Sequence, residues 1–204
     1  MKKKIETMGL ALLAAVLMSC NVGTNTTEEV KTGYTDMEAL EAIFSRKSVR
    51  QYVADKPVEQ EKIDLLVRAG MAAPSAMDRR PWEIVVFSDR EAMDQLSESL
   101  PYAKMLKQAP MAIIVCGDRE KSEHNWYIDC SAVTQNILLA AEALGLGAVW
   151  TGVYPGQERV DLVSAALGLP ENIIPLNVIP IGYPDGEQQA KDKWDESKVH
   201  YNKW

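Results

Sequence analysis

Histidine and cysteine are scarce in this 204-residue chain, which has only His124 and His200, and Cys20, Cys116 and Cys130. It contains no HExxH, no paired CxxC, no GxSxG elbow, no Walker-type lysine loop and no GxGxxG turn. Zinc hydrolysis, triad hydrolysis and Rossmann-type dinucleotide binding therefore lack the residues those chemistries need at their usual spacings. Positive charge is in deficit as well. Lys and Arg number 22 against 29 Asp and Glu, a formal net charge of −7, so nucleic acid is not an expected partner.

What is present begins with an export signal. Lys2, Lys3 and Lys4 precede an apolar run, Met8 to Met18, that is too short to span a membrane comfortably. The run ends in Leu17-Met18-Ser19-Cys20, which resembles a bacterial lipobox with the Cys20 thiol as lipid acceptor. Residues 1–19 are then a lipoprotein signal peptide, and the expected location is the cell envelope, anchored to a bacterial membrane through the lipid. Loss of the leader, with its three lysines and Glu6, takes the formal charge from −7 to −9. Residues 20–34 are polar and small, cannot bury enough surface to order themselves, and read as a flexible tether. Residues 35–204 suit one domain with a substantial core.

Within that domain Thr35-x-x-Glu38 has the form of a capping box, and Met37, Leu40, Ile43 and Phe44 fall on one helical face. A second helix is expected over Val58 to Met71, with Ile63, Leu66 and Val67 inward. Glu83 to Ser88 reads as a buried strand, Ser88-x-x-Glu91 as the opening of a third helix, and Met111 to Cys116 as the next strand. Trp126 to Leu144 is the longest helix, apolar around much of its girth, stopped by Gly145 and so expected to be central. Ala148 to Val153 is strand-like, Gln157 to Leu167 is a helix closed by Gly168 and Pro170, and Ile173 to Ile181 is a last strand. Pro175 and Pro180 argue for an edge or a bend in that strand. Cys116 and Cys130 sit among apolar residues and read as small buried hydrophobes, not as a disulfide or a nucleophile. The class is mixed α and β, with helices packed on a sheet.

Three segments could carry chemistry. Arg46-Lys47-Ser48-Val49-Arg50-Gln51-Tyr52 places three cations and a hydroxyl just past a helix, which suits a phosphate. The same cations would also serve to satisfy the last carbonyls of the helix and face solvent. Ala73-Pro74-Ser75-Ala76-Met77-Asp78-Arg79-Arg80-Pro81-Trp82 is a turn-rich link that could hold a ligand, or could be a connector whose Trp82 plugs the core. Gly145-Leu146-Gly147-Ala148-Val149-Trp150-Thr151-Gly152-Val153-Tyr154-Pro155 has small residues that let a flat ring approach backbone N–H groups, although Trp150 alone would fit a core as well.

In this order and spacing the three segments resemble the nitroreductase family of FMN enzymes, as do Ile181-Gly182-Tyr183-Pro184 and Lys191-x-Lys193 near the end of the chain. The resemblance runs from about Met37 to Trp204. It implies an α+β fold with a central mixed sheet flanked by helices, in an intertwined homodimer. It implies that Arg46, Lys47 and Ser48 hold the FMN phosphate and ribityl chain, that Arg50 approaches flavin N1 and O2, and that Trp150, Thr151 and Gly152 lie near N5. Lys193, helped by Lys191, would close on the phosphate, and Pro74, Ser75 and Ala76 would reach the flavin from the partner subunit. Asp78 stands where the family often has Asn, and Arg80 where it often has Gln. The resemblance implies Asp78 among the cofactor-binding residues, but a carboxylate only accepts hydrogen bonds, so pairing with Arg79 or Arg80 is the alternative to reading the flavin edge.

The activity implied is ping-pong reduction of nitroaromatic or quinone-like electrophiles with NAD(P)H, without a protein nucleophile. The same scaffold also supports other flavin chemistry, such as dehalogenation or enoate reduction, or service as an electron-relay partner in a membrane complex.

Overall fold

The structure is a computed structural model, and residues 39–204 are described. The leader, Cys20, the tether, Met37 and the Thr35–Glu38 capping box lie outside the described residues. Helix α1 (Ala39–Ser45) and α2 (Gln60–Met71) come first, followed by β1 (Trp82–Phe87), α3 (Arg90–Ser99) and β2 (Met111–Asp118). Next are α4 (Trp126–Ala143), two short strands β3 (Gly147–Ala148) and β4 (Thr151–Gly152), α5 (Gln157–Leu167) and β5 (Ile173–Gly182). The sheet runs β1-β2-β5-β3, with β4 also on β5, and all of these pairings are antiparallel.

Alternation along β2 builds the two halves of the core. Met111, Ile113 and Val115 face α2 and α4, where they join Leu66, Val133 and Ile137. Ala112, Ile114 and Cys116 face α3 and α5, where they join Met93, Leu96 and Val163. The sheet is thus sandwiched between helical layers, and every residue of β2 is buried. Helix α4 is central as expected, and Gly145 just past its end takes φ +69°, a left-handed conformation that suits a residue without Cβ. Cys116 and Cys130 are buried free thiols, as read from the sequence; Cys130 Sγ donates to the Cys116 carbonyl at 3.3 Å. Burial pushes the Cys116 thiol up to about 12, with the Glu83 charge adding to the shift.

Four expectations need correction. Strand β1 is an edge strand, only partly buried, because it has a single neighbour in the sheet. The cap of α3 is Asp89, whose carboxylate accepts from Ala92 N at 3.0 Å, so the helix starts one residue later than the Ser88 reading implies. The stretch Ala148–Val153 is two strands, interrupted at Val149 and Trp150. Strand β5 is internal, not an edge, and it tolerates both prolines for separate reasons. At Pro175 the register against β2 shifts between Val115 and Cys116, leaving Leu176 as the extra residue. Pro180 lies between the register positions where β3 and β4 pair, so the sheet loses no bond there for want of its N–H. Among the described residues, no helix is long and apolar enough to cross a membrane.

Candidate active site

Beyond α1 the chain leaves the helix, and burial separates the residues of the first basic segment. Ser48 and Arg50 are exposed, whereas Val49 is buried and its N–H donates to the Ala148 carbonyl at 3.0 Å. Val49 can approach β3 this closely because residue 147 is glycine: a Cβ there would sit 2.5 Å from Val49 Cγ1. Lys47 forms an ion pair at 2.8 Å with Glu142 near the end of α4. Tyr52 is buried, with its hydroxyl 2.8 Å from the Val49 carbonyl and 3.0 Å from that of Pro180; burial raises its pKa well above the usual phenol value.

The same bonding brings in the end of the chain. Val53 N donates to the Tyr183 carbonyl at 2.9 Å and Asp185 N to that of Gln51 at 3.0 Å. The residues after Pro184 are thereby laid over Arg46–Arg50, and Gln188 Oε1 accepts from Arg50 N at 3.3 Å. The result is a cavity of about 250 Å³ lined by Arg46, Lys47, Ser48, Arg50, Lys191 and Lys193, with Gln188 and Gln189. Among the described residues, Arg46, Arg50, Lys191 and Lys193 have no carboxylate partner. In a chain of net charge −7, that clustering makes a local anion site. Gln188 Nε2 is buried and has no hydrogen-bond partner among the described residues, leaving a donor available at this cavity.

A second cavity, about 480 Å³, lies on the other side of Arg50, which lines both. Val149, Trp150, Thr151 and Gly152 form one side of it, and Pro101, Tyr102, Lys104 and Met105 the other. The Thr151 hydroxyl donates to the Val178 carbonyl at 2.6 Å, so its side chain can meet a ligand only as an acceptor. At Gly152 an added Cβ would meet nothing within 4 Å, which leaves open space directly over the strand.

The Pro74–Asp78 segment lines neither cavity. Ala76 N donates to Asp129 Oδ1 and Arg80 N to Ser75 Oγ, each at 3.0 Å, and Met77, Asp78 and Arg80 all have positive φ. Asp78 pairs with Arg80, Nε to Oδ1 at 2.7 Å, and this bond holds its carboxyl below the usual carboxylate range. The pairing expected for Asp78 is therefore made, on an exposed surface. Sequence reasoning missed Gln188, Tyr102 and Lys104. None lies in a local pattern, and only the tertiary arrangement brings them to the cavities.

A larger cavity, about 710 Å³, lies elsewhere and includes none of the expected residues. Its lining sets Arg119 against Glu123, Asp161 and Glu171, the wrong balance for a phosphate, so size does not make it the site.

The sequence profile of the nitroreductase family matches residues 43–101 and 93–183. A protein of Methanothermobacter thermautotrophicus, provisionally named an NADH dehydrogenase/NAD(P)H nitroreductase, is 48% identical over 170 residues, covering 82% of this chain and 88% of its own. A crystal structure of a Bacteroides thetaiotaomicron protein with the same provisional name is 59% identical, with TM-score 0.80, and the match covers 83% of this chain and all of that one. An FMN-dependent nitroreductase of Clostridium difficile is 32% identical at TM-score 0.76, covering 81% and 99% of the two chains. The fold, the two cavities joined at Arg50 and these likenesses together make the chain a member of the nitroreductase family.

Proposed function

We propose that the protein is an FMN-dependent oxidoreductase that takes reducing equivalents from NAD(P)H and passes them to small, flat, electron-poor compounds such as nitroaromatics or quinones, in a ping-pong cycle. The observation that carries this reading is the position of Arg50, between a cavity lined by cations and one floored by Trp150–Gly152. A cofactor with a single phosphate at one end and a flat ring at the other spans such an arrangement. The unpartnered Gln188 donor and the open space over Gly152 fit it as well.

Bound FMN supplies hydride and electron transfer, so the chain needs no nucleophile of its own. Arg46, Ser48, Lys191 and Lys193 hold the phosphate by charge-assisted bonds, and Gln188 Nε2 adds a neutral donor. Lys47 spends its charge on Glu142 and contributes mainly by fixing the segment against α4. Arg50 would be the cation beside the ring and would favour its reduced, anionic form. Trp150, Thr151 and Gly152 would form the floor on which the ring rests.

The working unit in this reading is a homodimer, in which Pro74, Ser75 and Ala76 complete the partner's site. The reading is supported by the absence of that loop from both cavities and by the exposure of Trp194, Tyr201 and Trp204. Cys20 anchors the protein by lipid to a membrane of the cell envelope. Purification without the leader tests the central point: the protein should be yellow, release FMN on denaturation, and oxidise NADH or NADPH with a quinone present. A colourless protein that FMN cannot reconstitute would overturn the proposal.

A further inference from the structure

The second cavity has a wall that the flavin reading does not use. Helix α3 ends at Ser99, and the segment after it is fixed by its buried residues: Leu100 and Ala103 at 3% and 0% exposure, then Met105 and Leu106. Leu100 N donates to the Leu96 carbonyl at 2.8 Å and Leu106 N to that of Ala103 at 2.9 Å. Between these anchors Pro101, Tyr102 and Lys104 are turned outward into the cavity, opposite Trp150. The wall is therefore held in place by the core instead of hanging from a loose loop.

Its chemistry is one-sided. Among the described residues, Lys104 and Arg50 are the only charged groups lining the cavity, both are cations, and no carboxylate lines it. Tyr102 and Trp150 supply two exposed rings, at 70% and 37%. Lys104 Nζ donates to the Glu98 carbonyl at 3.1 Å, and among the described residues it has no carboxylate partner. An ammonium has three donors, so others remain for a ligand. Arg50 is committed to the cofactor in the reading above. Lys104 is then the free charge on the substrate side.

We infer that this cavity selects flat aromatic substrates bearing an anionic group, a ring carboxylate being the simplest, with Lys104 as the specificity-determining cation and Tyr102 as the ring that covers them. The inference rests on the flavin reading, because it places the substrate on the exposed face of a flavin ring that rests on the Trp150–Gly152 floor, on the side of Tyr102 and Lys104. A neutral aromatic gains only the ring contacts there, and a cationic one is repelled. Lys104 is exposed and screened, so its effect is modest: about threefold to fivefold in affinity.

The test uses calorimetric titration of the FMN-loaded protein with benzoate and with benzamide, its neutral isostere, at low and high salt. Benzoate should bind more tightly than benzamide, and the advantage should shrink with salt. Lys104→Gln should weaken benzoate about threefold to fivefold and move benzamide by less than about twofold, whereas Lys104→Arg should keep most of the preference. Tyr102→Ala should weaken both ligands alike, and Tyr102→Phe neither. In turnover, kcat/KM for para-nitrobenzoate relative to nitrobenzene should fall with Lys104→Gln in the same proportion. Equal affinity for benzoate and benzamide, or a preference that survives Lys104→Gln, overturns the inference. FMN content measured on each sample keeps the two ideas apart: protein that holds FMN but shows no carboxylate preference defeats only this inference, and protein that holds no FMN defeats the flavin reading beneath it.

Discussion

Gly152→Val separates the needs of the fold from those of the cofactor. The glycine is in β4, paired with Asn177 of β5, and its backbone is not among the positive-φ positions, so an L side chain meets no strain there. A Cβ would find no heavy atom within 4 Å. Within the protein alone, valine should therefore be neutral or favourable. Removing a glycine from a strand recovers about 0.5–1 kcal/mol, and a β-branched side chain suits the pleat. The same side chain would project into the cavity of about 480 Å³ where the flat ring is placed. A ring resting on the strand needs contact at about 3.5–4 Å, and forcing extra methyl groups into such a contact costs about 1–3 kcal/mol.

FMN affinity should accordingly fall about fivefold to a hundredfold while the melting temperature of the cofactor-free protein holds or rises. Gly152→Ala should lie between the two. The assay is quenching of FMN fluorescence on titration with protein, beside thermal melts of each variant without cofactor. Wild-type FMN affinity in Gly152→Val would show that the ring does not lie on this strand. A parallel loss of stability would show that the glycine serves the fold, and the cavity would lose its strongest support.

Arg46→Ala should weaken FMN about tenfold to a hundredfold and leave riboflavin, which lacks the phosphate, unaffected; titrations with both ligands check it. Arg50→Gln should lower the reduction potential of bound FMN by about 30 mV or more, read by equilibrium redox titration, and an unchanged potential would move Arg50 away from N1 and O2. Cys20→Ala should abolish incorporation of a fatty-acid probe, and equal labelling of mutant and wild type would place the lipid elsewhere or nowhere. The Cys116 thiol is neutral in the fold up to about pH 12, but ionises from about 9 in the unfolded chain. Its contribution to stability is therefore complete below pH 9 and lost as pH rises from 9 to 12, so urea midpoints should drop less steeply over that window in Cys116→Ala than in wild type.

Helices α2, α4 and α5 were legible because periodicity, length and stop residues agreed; α5 runs Gln157–Leu167 with Gly168 beyond it, as read. What failed was information held by neighbours. Whether Glu83–Ser88 is a central or an edge strand depends on which strand lies beside it, and its β-branched composition says nothing of that. The two prolines misplaced β5 because a proline matters only where its missing N–H faces a neighbour, and that depends on the register shift against β2 at Pro175 and on the register against β3 and β4 at Pro180. The break in Ala148–Val153 has the same origin, since the Ala148 carbonyl is taken by Val49 N from a segment a hundred residues earlier. The cations of the phosphate cavity were legible as types and positions. Their convergence was implied by the family resemblance alone, and the Tyr102–Lys104 wall had no local signature at all.

The Pro74–Asp78 segment and α1 bear on the same question from opposite sides. The loop resembles its family counterpart, yet it lines neither cavity, and it is held where it is by Asp129, Ser75 and the Asp78–Arg80 pair. The segment carries backbone strain at Met77, Asp78 and Arg80, and Met77 is 83% exposed at its tip. On α1 the apolar positions Leu40, Ile43 and Phe44 keep the spacing of a buried face, yet all three are exposed, and only Ala42 of that helix is buried. Helical periodicity states that a face will be covered, without stating by which chain. Trp194, Tyr201 and Trp204 add three more large rings without cover. A second copy would account for the unused loop, the bare helix face and the uncovered rings by one step, whereas a monomeric enzyme would need a separate reason for each.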